Sequence, residues 1–267
     1  MPTAIRINDV DFAIADGQPP LLAQFWDRAQ QGAWEPDTFR ILDRFLGPGR
    51  RLVDIGAWVG ALTLYAAAKG SRVDAFECDP VALGHLRTNL EANPALAPAV
   101  RVMPTALGDA DGALTLFSTG FGNSESSIYA SHQRGQYLLR CGQSVQVAAR
   151  DALGVFRAAG YADDSRTLVK IDVEGSEFVI VPRLAGLIAA SRCTWLVSFH
   201  ELNVNPGDVP AKHARIAEML RALLCFRGLR WFNEKLQQLD KARVLDAVLA
   251  GTLPPHLSFV FQAAPEG

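Results

Sequence analysis

The thirty residues from Arg51 to Pro80, RLVDIGAWVGALTLYAAAKGSRVDAFECDP, constrain the fold more than any other stretch of the chain. Leu52 to Ile55 is an apolar run of strand length, followed at once by Gly56, where the missing Cβ lets a ligand approach the backbone. Leu62, Tyr65 and Ala66 fall at helical spacing within a helix from about Val59 to Lys69; Gly60 lets it pack close to the strand and Gly70 stops it. Val73 to Phe76 is a second strand, ending on Glu77. In nucleotide-binding units of this strand-helix-strand form, an acidic residue about 20 positions on from the first strand holds the ribose hydroxyls. Glu77 stands 23 residues after Asp54.

The loop narrows the ligand. A dinucleotide fingerprint starting at Gly56 needs glycine at positions 58 and 61, and this chain has Trp58 and Ala61. An indole where the backbone should meet a pyrophosphate argues against NAD or FAD. Asp54, a carboxylate at a strand end, points to a ligand with a cationic group. S-adenosylmethionine has both a ribose and an ammonium, and its carboxylate can face the free N–H groups at the helix start near Gly60. The competing reading makes Asp54 and Gly56 a plain turn and Glu77 a solvated helix start.

The remaining chain fits an α/β protein with a mostly parallel sheet. Ile5 to Ile7 and Val10 to Ile14 form a hairpin around Asn8-Asp9, and Leu21 to Gln31 can form a helix, so residues 1–33 read as an extension attached to a domain spanning residues 34–267. Downstream, Val100 to Ala106, Leu168 to Asp172, Thr194 to Phe199, Leu229 to Phe232 and Ser258 to Phe261 read as strands alternating with helices. The polar stretch STGFGNSESSIYASHQRGQ, from Ser118 to Gln136, is too long for a simple connection and reads either as a lid or substrate loop or as a disordered insertion. With 267 residues, half of them apolar, the chain can bury a full core. A net charge of −2 lacks the basic footprint of nucleic-acid binders, which points to a small-molecule partner. Four scattered cysteines without a C-x-x-C pair, and the lack of a signal or membrane-spanning segment, read as a cytoplasmic protein with reduced thiols. Oligomeric state is not encoded in any readable pattern.

LVDIGAWVGALTLYAAAKGSRVDAFECDP and LVKIDVEGSEFVIV together resemble the FkbM-type family of S-adenosylmethionine-dependent methyltransferases. The run KIDVEGSE, Lys170 to Glu177, is the more characteristic part; WEPDT from Trp34 and TALGDADG from Thr105 are also similar, so the resemblance covers roughly Trp34 to Glu201. It implies a Rossmann-like class I methyltransferase fold, a mostly parallel seven-stranded sheet with the last strand antiparallel and helices on both faces. By the same resemblance Asp54, Gly56, Ala57 and Gly60 surround the methionine part of S-adenosylmethionine, with Glu35 and Thr38 near its amino-acid end. Glu77 takes the ribose, and Thr105 and Ala106 lie along the adenine. Trp58 stands where the family more usually has asparagine.

In such a fold the strand ending at Asp172 lies beside the first, which brings Asp172 and Glu174 to the cleft, and the next strand adds His200 and Glu201. His200 is the first choice of base, since an imidazole near its ordinary pKa of about 6.5 suits proton removal at neutral pH. Asp172 is second, as a residue orienting the acceptor or the cofactor's ammonium, and Glu174 completes the catalytic set. Structural readings stand beside these: His200 capping its strand, Glu174 and Glu177 serving a helix start. No metal is assigned, although a divalent ion on Asp172, Glu174 and His200 is compatible with those ligand types. The expected activity is O-methylation of a hydroxyl on a sugar, glycolipid or polyketide-like acceptor. Carboxyl or nitrogen methylation, or a non-catalytic cofactor-binding module, are the alternatives.

Overall fold

A computed structural model describes residues 1–134, 137–200, 209–250 and 257–263. An N-terminal hairpin, β1 (Thr3–Ile7) and β2 (Val10–Ile14), leads into α1 (Pro20–Gln30) and α2 (Pro36–Phe45). Then follow β3 (Arg51–Ile55), α3 (Ala61–Ala68), β4 (Arg72–Phe76), α4 (Pro80–Glu91) and β5 (Val100–Met103). Short strands come next: β6 (Ala106–Gly108), β7 (Gly112–Ser118), β8 (Ser131–Arg134), β9 (Tyr137–Arg140) and β10 (Gln143–Asp151). The chain continues through α5 (Ala152–Ala159), β11 (Thr167–Ile171), α6 (Glu177–Ala190), β12 (Thr194–Phe199) and α7 (Val209–Leu224). It closes with β13 (Leu229–Asn233), α8 (Lys241–Leu249) and β14 (Leu257–Ala263).

The central sheet has seven strands in the order β13-β14-β12-β11-β3-β4-β5. Five neighbours from β12 to β5 run parallel, while β14 is antiparallel to both β12 and β13. This is the Rossmann-like class I methyltransferase fold, with the antiparallel strand where it was expected. Strand order reverses between β3 and β11, and in open parallel sheets a crevice forms at such a point, outside the carboxyl ends of the strands.

Side-chain alternation builds two cores. Leu52 and Leu168 join one apolar cluster while Val53, Ile55, Val169 and Ile171 join the other, so both faces of the inner strands are covered. On one face Phe156 stacks on Trp195 with ring centroids 5.2 Å apart, among residues of α5, α6 and α7. On the other, Ile5, Ile7, Phe12 and Trp26 of the N-terminal extension pack with Phe39, Leu64 and Tyr65. The extension therefore supplies part of the second of the two cores. Polar clamps reinforce it: Asn93 of the α4 C-terminus accepts from Ala13 N–H at 2.8 Å and donates to Ala13 O at 2.6 Å, and Asn89 accepts from Ala15 N–H at 2.9 Å.

Two sequence expectations change here. Val100 to Ala106 is not one strand. Pro104, with no N–H to donate, interrupts the ladder; β5 stays in the central sheet and β6 pairs instead with β10 in a separate three-stranded sheet. The stretch 118–136 contains the strand β8, paired antiparallel with β9, and its first half folds back onto the crevice; residues 135 and 136 lie outside the described part, as does Glu201. Among the described residues no helix is long and apolar enough to cross a membrane.

If the extension is clamped as described, Asn93→Ala should cost about 1–3 kcal/mol of unfolding free energy, the range for stranding buried backbone partners. Urea denaturation checks this; a change below about 0.5 kcal/mol would show that the hairpin is held by apolar packing alone.

Candidate active site

Two cavities meet at the carboxyl ends of β3 and β11. One is an apolar slot between Ile55, Phe76, Leu107, Leu114 and Leu116, with Glu77 and Thr105 contributing polar edges. The other is an acidic chamber lined by Glu35, Asp54, Lys170, Asp172, Glu174 and His200. Gly56, Trp58, Asp172 and Glu174 line both, so the two form one crevice.

Strand register builds the floor of the chamber. Lys170 lies opposite Asp54 in the β11–β3 ladder, and both side chains are buried in otherwise apolar strands. Lys170 Nζ donates to Gly56 O at 2.9 Å and stands 3.4 Å from Asp54 Oδ1 and 3.5 Å from Asp172 Oδ2. Burial works against the ammonium, yet Asp172, Asp54 and Glu35 outweigh it and hold its pKa above the usual lysine value. Asp54 Oδ2 accepts from Thr63 Oγ1 at 2.7 Å, while its Oδ1 faces the Lys170 ammonium. Burial raises the Asp54 pKa against the pull of Lys170.

Gly56 has a second reason beside the one read in the sequence. A Cβ there would lie 1.9 Å from Asp172 O, so the glycine makes room for the end of β11 as well as lining both cavities. Gly60 caps α3 in the left-handed region, and a Cβ on it would meet Leu86 Cδ1 at 2.6 Å; it packs against α4 and lines neither cavity. Ala57, by contrast, lines the chamber, with its N–H donating to Phe76 O. Glu35 caps α2 at φ +42°, its Oε2 buried without a donor, and burial and then Asp172 push its carboxyl up to about 7. Thr38 is buried and lines neither cavity.

Glu77 holds the first loop together. Its Oε2 accepts from Trp58 N–H, and its Oε1 accepts from the N–H groups of Cys78 and Asp79, each at 2.7 Å. Burial pushes its carboxyl up to about 7 although these bonds favour the charged form. With one donor on Oε2 the carboxylate retains acceptor capacity, and Glu77 lines the slot. Thr105 and Ala106 line the same slot.

The second loop is held by Glu177, which is completely buried. Its Oε1 accepts from Val173 N–H and its Oε2 from Gly175 N–H, both at 2.7 Å, which sets Glu174 at φ +53°. Glu177 Oε1 is also 3.0 Å from His200 Nδ1. On the other side of the ring, His200 Nε2 is 3.4 Å from Asp172 Oδ1 and 3.5 Å from Glu174 Oε1. Burial lowers the imidazole pKa, but Glu177, Glu174 and Asp172 outweigh it and hold the pKa well above 6.5. Three neighbouring carboxylates thus favour the charged form of the ring.

The polar insertion closes the slot. Asp79 caps α4 through Oδ1, and its Oδ2 accepts from Gly122 N–H at 2.9 Å and Ser126 Oγ at 2.6 Å. Trp58 Nε1 donates to Gly122 O at 3.0 Å, its ring packing edge-on against Phe25. Asn123, Ser124, Ser126 and Ile128 consequently line the slot. Lys170 and Glu177, both inside the KIDVEGSE run, are the site residues to which the sequence reading gave no role in the site. A lysine within the apolar strand LVKI was the available signal, because a cation buried there needs carboxylate partners.

No protein-family model matches this chain, and no curated protein does. Among solved structures it is similar to a TehB-like SAM-dependent methyltransferase from Corynebacterium glutamicum, at 14% identity and TM-score 0.46, covering 91% of this chain and 96% of that one. A putative rRNA-methylase from Clostridium thermocellum gives 11% identity and TM-score 0.47 over 87% and 96% of the two chains. Methyltransferase FkbM from Methylobacillus flagellatus KT gives 15% identity and TM-score 0.43, covering 91% of this chain and 55% of that one, so this chain spans about half its length. These likenesses reach no further than the fold already visible in the strand order.

The Lys170–Asp54 pair is testable by its asymmetry. Lys170→Met should cost about 3–5 kcal/mol by leaving buried carboxylates uncompensated, and adding Asp54→Asn should recover a substantial part of that loss. Urea denaturation of both variants checks it; a single variant within about 1 kcal/mol of the parent would contradict the pairing.

Proposed function

We propose that this chain is an S-adenosylmethionine-dependent methyltransferase acting on a hydroxyl of a small molecule such as a sugar, glycolipid or polyketide-like acceptor. One observation carries the reading. A single crevice joins an apolar slot edged by Glu77 to an acidic chamber where the completely buried Asp54 shares the Lys170 ammonium with Asp172. A ligand with an adenine, a ribose and a cationic amino-acid end complements both parts. In this reading the adenine lies along Thr105 and Ala106, a ribose hydroxyl meets Glu77, and the ammonium approaches Asp54 and Glu35. The sulfonium methyl then sits where the cavities join, beside Gly56 and Trp58.

The acceptor oxygen attacks the methyl carbon in line with the breaking carbon–sulfur bond, whose electron pair goes to sulfur. Positioning supplies much of the acceleration in such a transfer. The acceptor's proton passes to the cluster of Asp172, Glu174 and His200 at the methyl side of the crevice. A chamber this acidic disfavours polyanionic acceptors, in keeping with the chain's net charge of −2. Release of S-adenosylhomocysteine with hydroxylated acceptors separates this enzyme from a module that only binds the cofactor.

Calorimetry should find S-adenosylmethionine and S-adenosylhomocysteine binding one to one with roughly micromolar affinity and no heat from NAD. Ala106→Phe, which fills the slot, should weaken both by about tenfold or more without changing the circular dichroism spectrum. Binding of NAD with no response to either sulfur ligand would overturn the proposal.

A further inference from the structure

Helix α1 has two working faces. Leu22, Trp26 and Ala29 are buried in the core, while Leu21, Gln24, Phe25 and Arg28 fall at helical spacing along a second stripe that lines a cavity of about 330 Å³. Thr119, Asn123, Ser124 and Glu125 of the polar insertion form the opposite wall, and Trp34 and Trp58 complete it. Small-molecule sites occupy roughly 300–1,000 Å³. We infer that this cavity is the acceptor site of the proposed methyltransferase and takes a neutral glycosyl ring, with Trp58 as the wall between acceptor and cofactor.

The cavity opens where the transfer would take place. Trp58 and Ser124 line it together with both the slot and the chamber, so all three spaces meet at the junction assigned to the sulfonium methyl. Slot and chamber belong to the cofactor in that reading, and an acceptor lying beyond Trp58 reaches the methyl at the junction. The indole is held there at three points: its backbone N–H donates to Glu77 Oε2 at 2.7 Å, its Nε1 donates to Gly122 O at 3.0 Å, and its ring meets Phe25 edge-on at 4.5 Å. Its φ of +50° is a state that a bulky residue keeps only where its surroundings impose it, as ligand clamps do.

The walls divide by chemistry. Phe25 meets Trp34 at 4.8 Å and Trp58 at 4.5 Å, which makes an aromatic wall on the helix side. Leu21, 62% exposed, extends that apolar surface to the rim. On the insertion side, Asn123 Nδ2 donates to Thr119 Oγ1 at 3.1 Å and Asn123 Oδ1 accepts from Glu125 N–H at 2.9 Å, so amide and hydroxyl are fixed relative to each other. Gln24 and Arg28 add donors from α1; one Arg28 N–H is taken by Ala33 O at 3.3 Å, and the guanidinium has others. A sugar ring carries C–H groups on a face and hydroxyls around its edge, so it suits an aromatic wall and a polar wall at once. A flat aromatic or an acyl chain would desolvate the amides and hydroxyls without replacing their bonds to water. Arg28 and Glu125 bring one charge of each sign, unlike the acidic chamber, and this balance fits a neutral ligand.

The acceptor role rests on the methyl-transfer reading, whereas sugar binding does not and is measured by itself. Full-length protein, with and without S-adenosylhomocysteine, is titrated with the methyl glycosides of glucose, galactose and mannose and with 4-methylphenol as the aromatic probe, followed by saturation-transfer NMR. At least one glycoside should bind with roughly millimolar affinity and more tightly than 4-methylphenol. Gln24→Ala and Arg28→Ala, both at exposed positions outside slot and chamber, should each weaken that binding by about three- to tenfold and leave S-adenosylhomocysteine affinity unchanged. Parent crystals soaked in the glycoside should show its ring against Phe25 and Trp34 with a hydroxyl directed at the Trp58–Ser124 junction, a result independent of whether any variant folds. No glycoside binding up to about 50 mM, binding untouched by both variants, preference for 4-methylphenol, or a sugar bound elsewhere would overturn the site. Sugar binding by a protein that ignores S-adenosylhomocysteine would support the glycosyl site and overturn its role as an acceptor site.

Discussion

A lysine ammonium buried in the middle of a parallel strand is the interaction on which the site depends. A charge in that position is strongly unfavourable unless opposite charges and hydrogen-bond acceptors surround it. Lys170 meets this condition through Asp54 across the ladder, Asp172 just past the end of its own strand and the carbonyl of Gly56. Those three groups end the two central strands at the point where sheet order reverses. The same contacts that neutralise the lysine thus hold β3 and β11 in the arrangement that opens the crevice. Close approach of Gly56 to the Asp172 carbonyl leaves no room for a side chain between them.

From that floor the two loops are organised by the same device, a buried glutamate that collects backbone N–H groups. Glu77 accepts from three in the first loop and Glu177 from two in the second. Each turns a flexible connection into a fixed edge: Glu77 sets Trp58 and hence the insertion resting on it, and Glu177 sets Glu174 and His200. Trp58 and Glu174 both adopt positive φ, at +50° and +53°, a backbone state that non-glycine residues hold only when surrounding bonds enforce it. Asp79 and Trp58 then draw the polar insertion over the slot, so the wall of the cavity is built by a segment distant in sequence from the strands it covers.

Much of the sheet was legible in the sequence because its strands are short apolar runs separated by helices with clear ends, as at Gly70 and Asp79-Pro80. The antiparallel final strand followed from the family resemblance. What periodicity does not carry is how a run is shared between sheets: Val100 to Ala106 reads as one strand, and only the missing donor at Pro104 explains its division. Asp54, Glu77, Asp172, Glu174 and His200 were placed at one crevice by the alternation of strands and helices, and the structure brings them there. Their partners were less visible. Lys170 and Glu177 act through register and backbone hydrogen bonds, which a linear reading does not display, and the close packing of Gly56 on Asp172 and of Gly60 on Leu86 is equally invisible there. The upward shift of the histidine's pKa likewise depends on Glu177 reaching it from another element.

The central claim, that slot and chamber together form one cofactor site, is tested most directly by a crystal structure of the chain with S-adenosylhomocysteine. The account predicts adenine against Ala106 and Leu107, a ribose hydroxyl within hydrogen-bond reach of Glu77, and the amino group within reach of Asp54 Oδ1. Ligand bound outside this crevice, or with its amino-acid end directed away from Asp54, would contradict it.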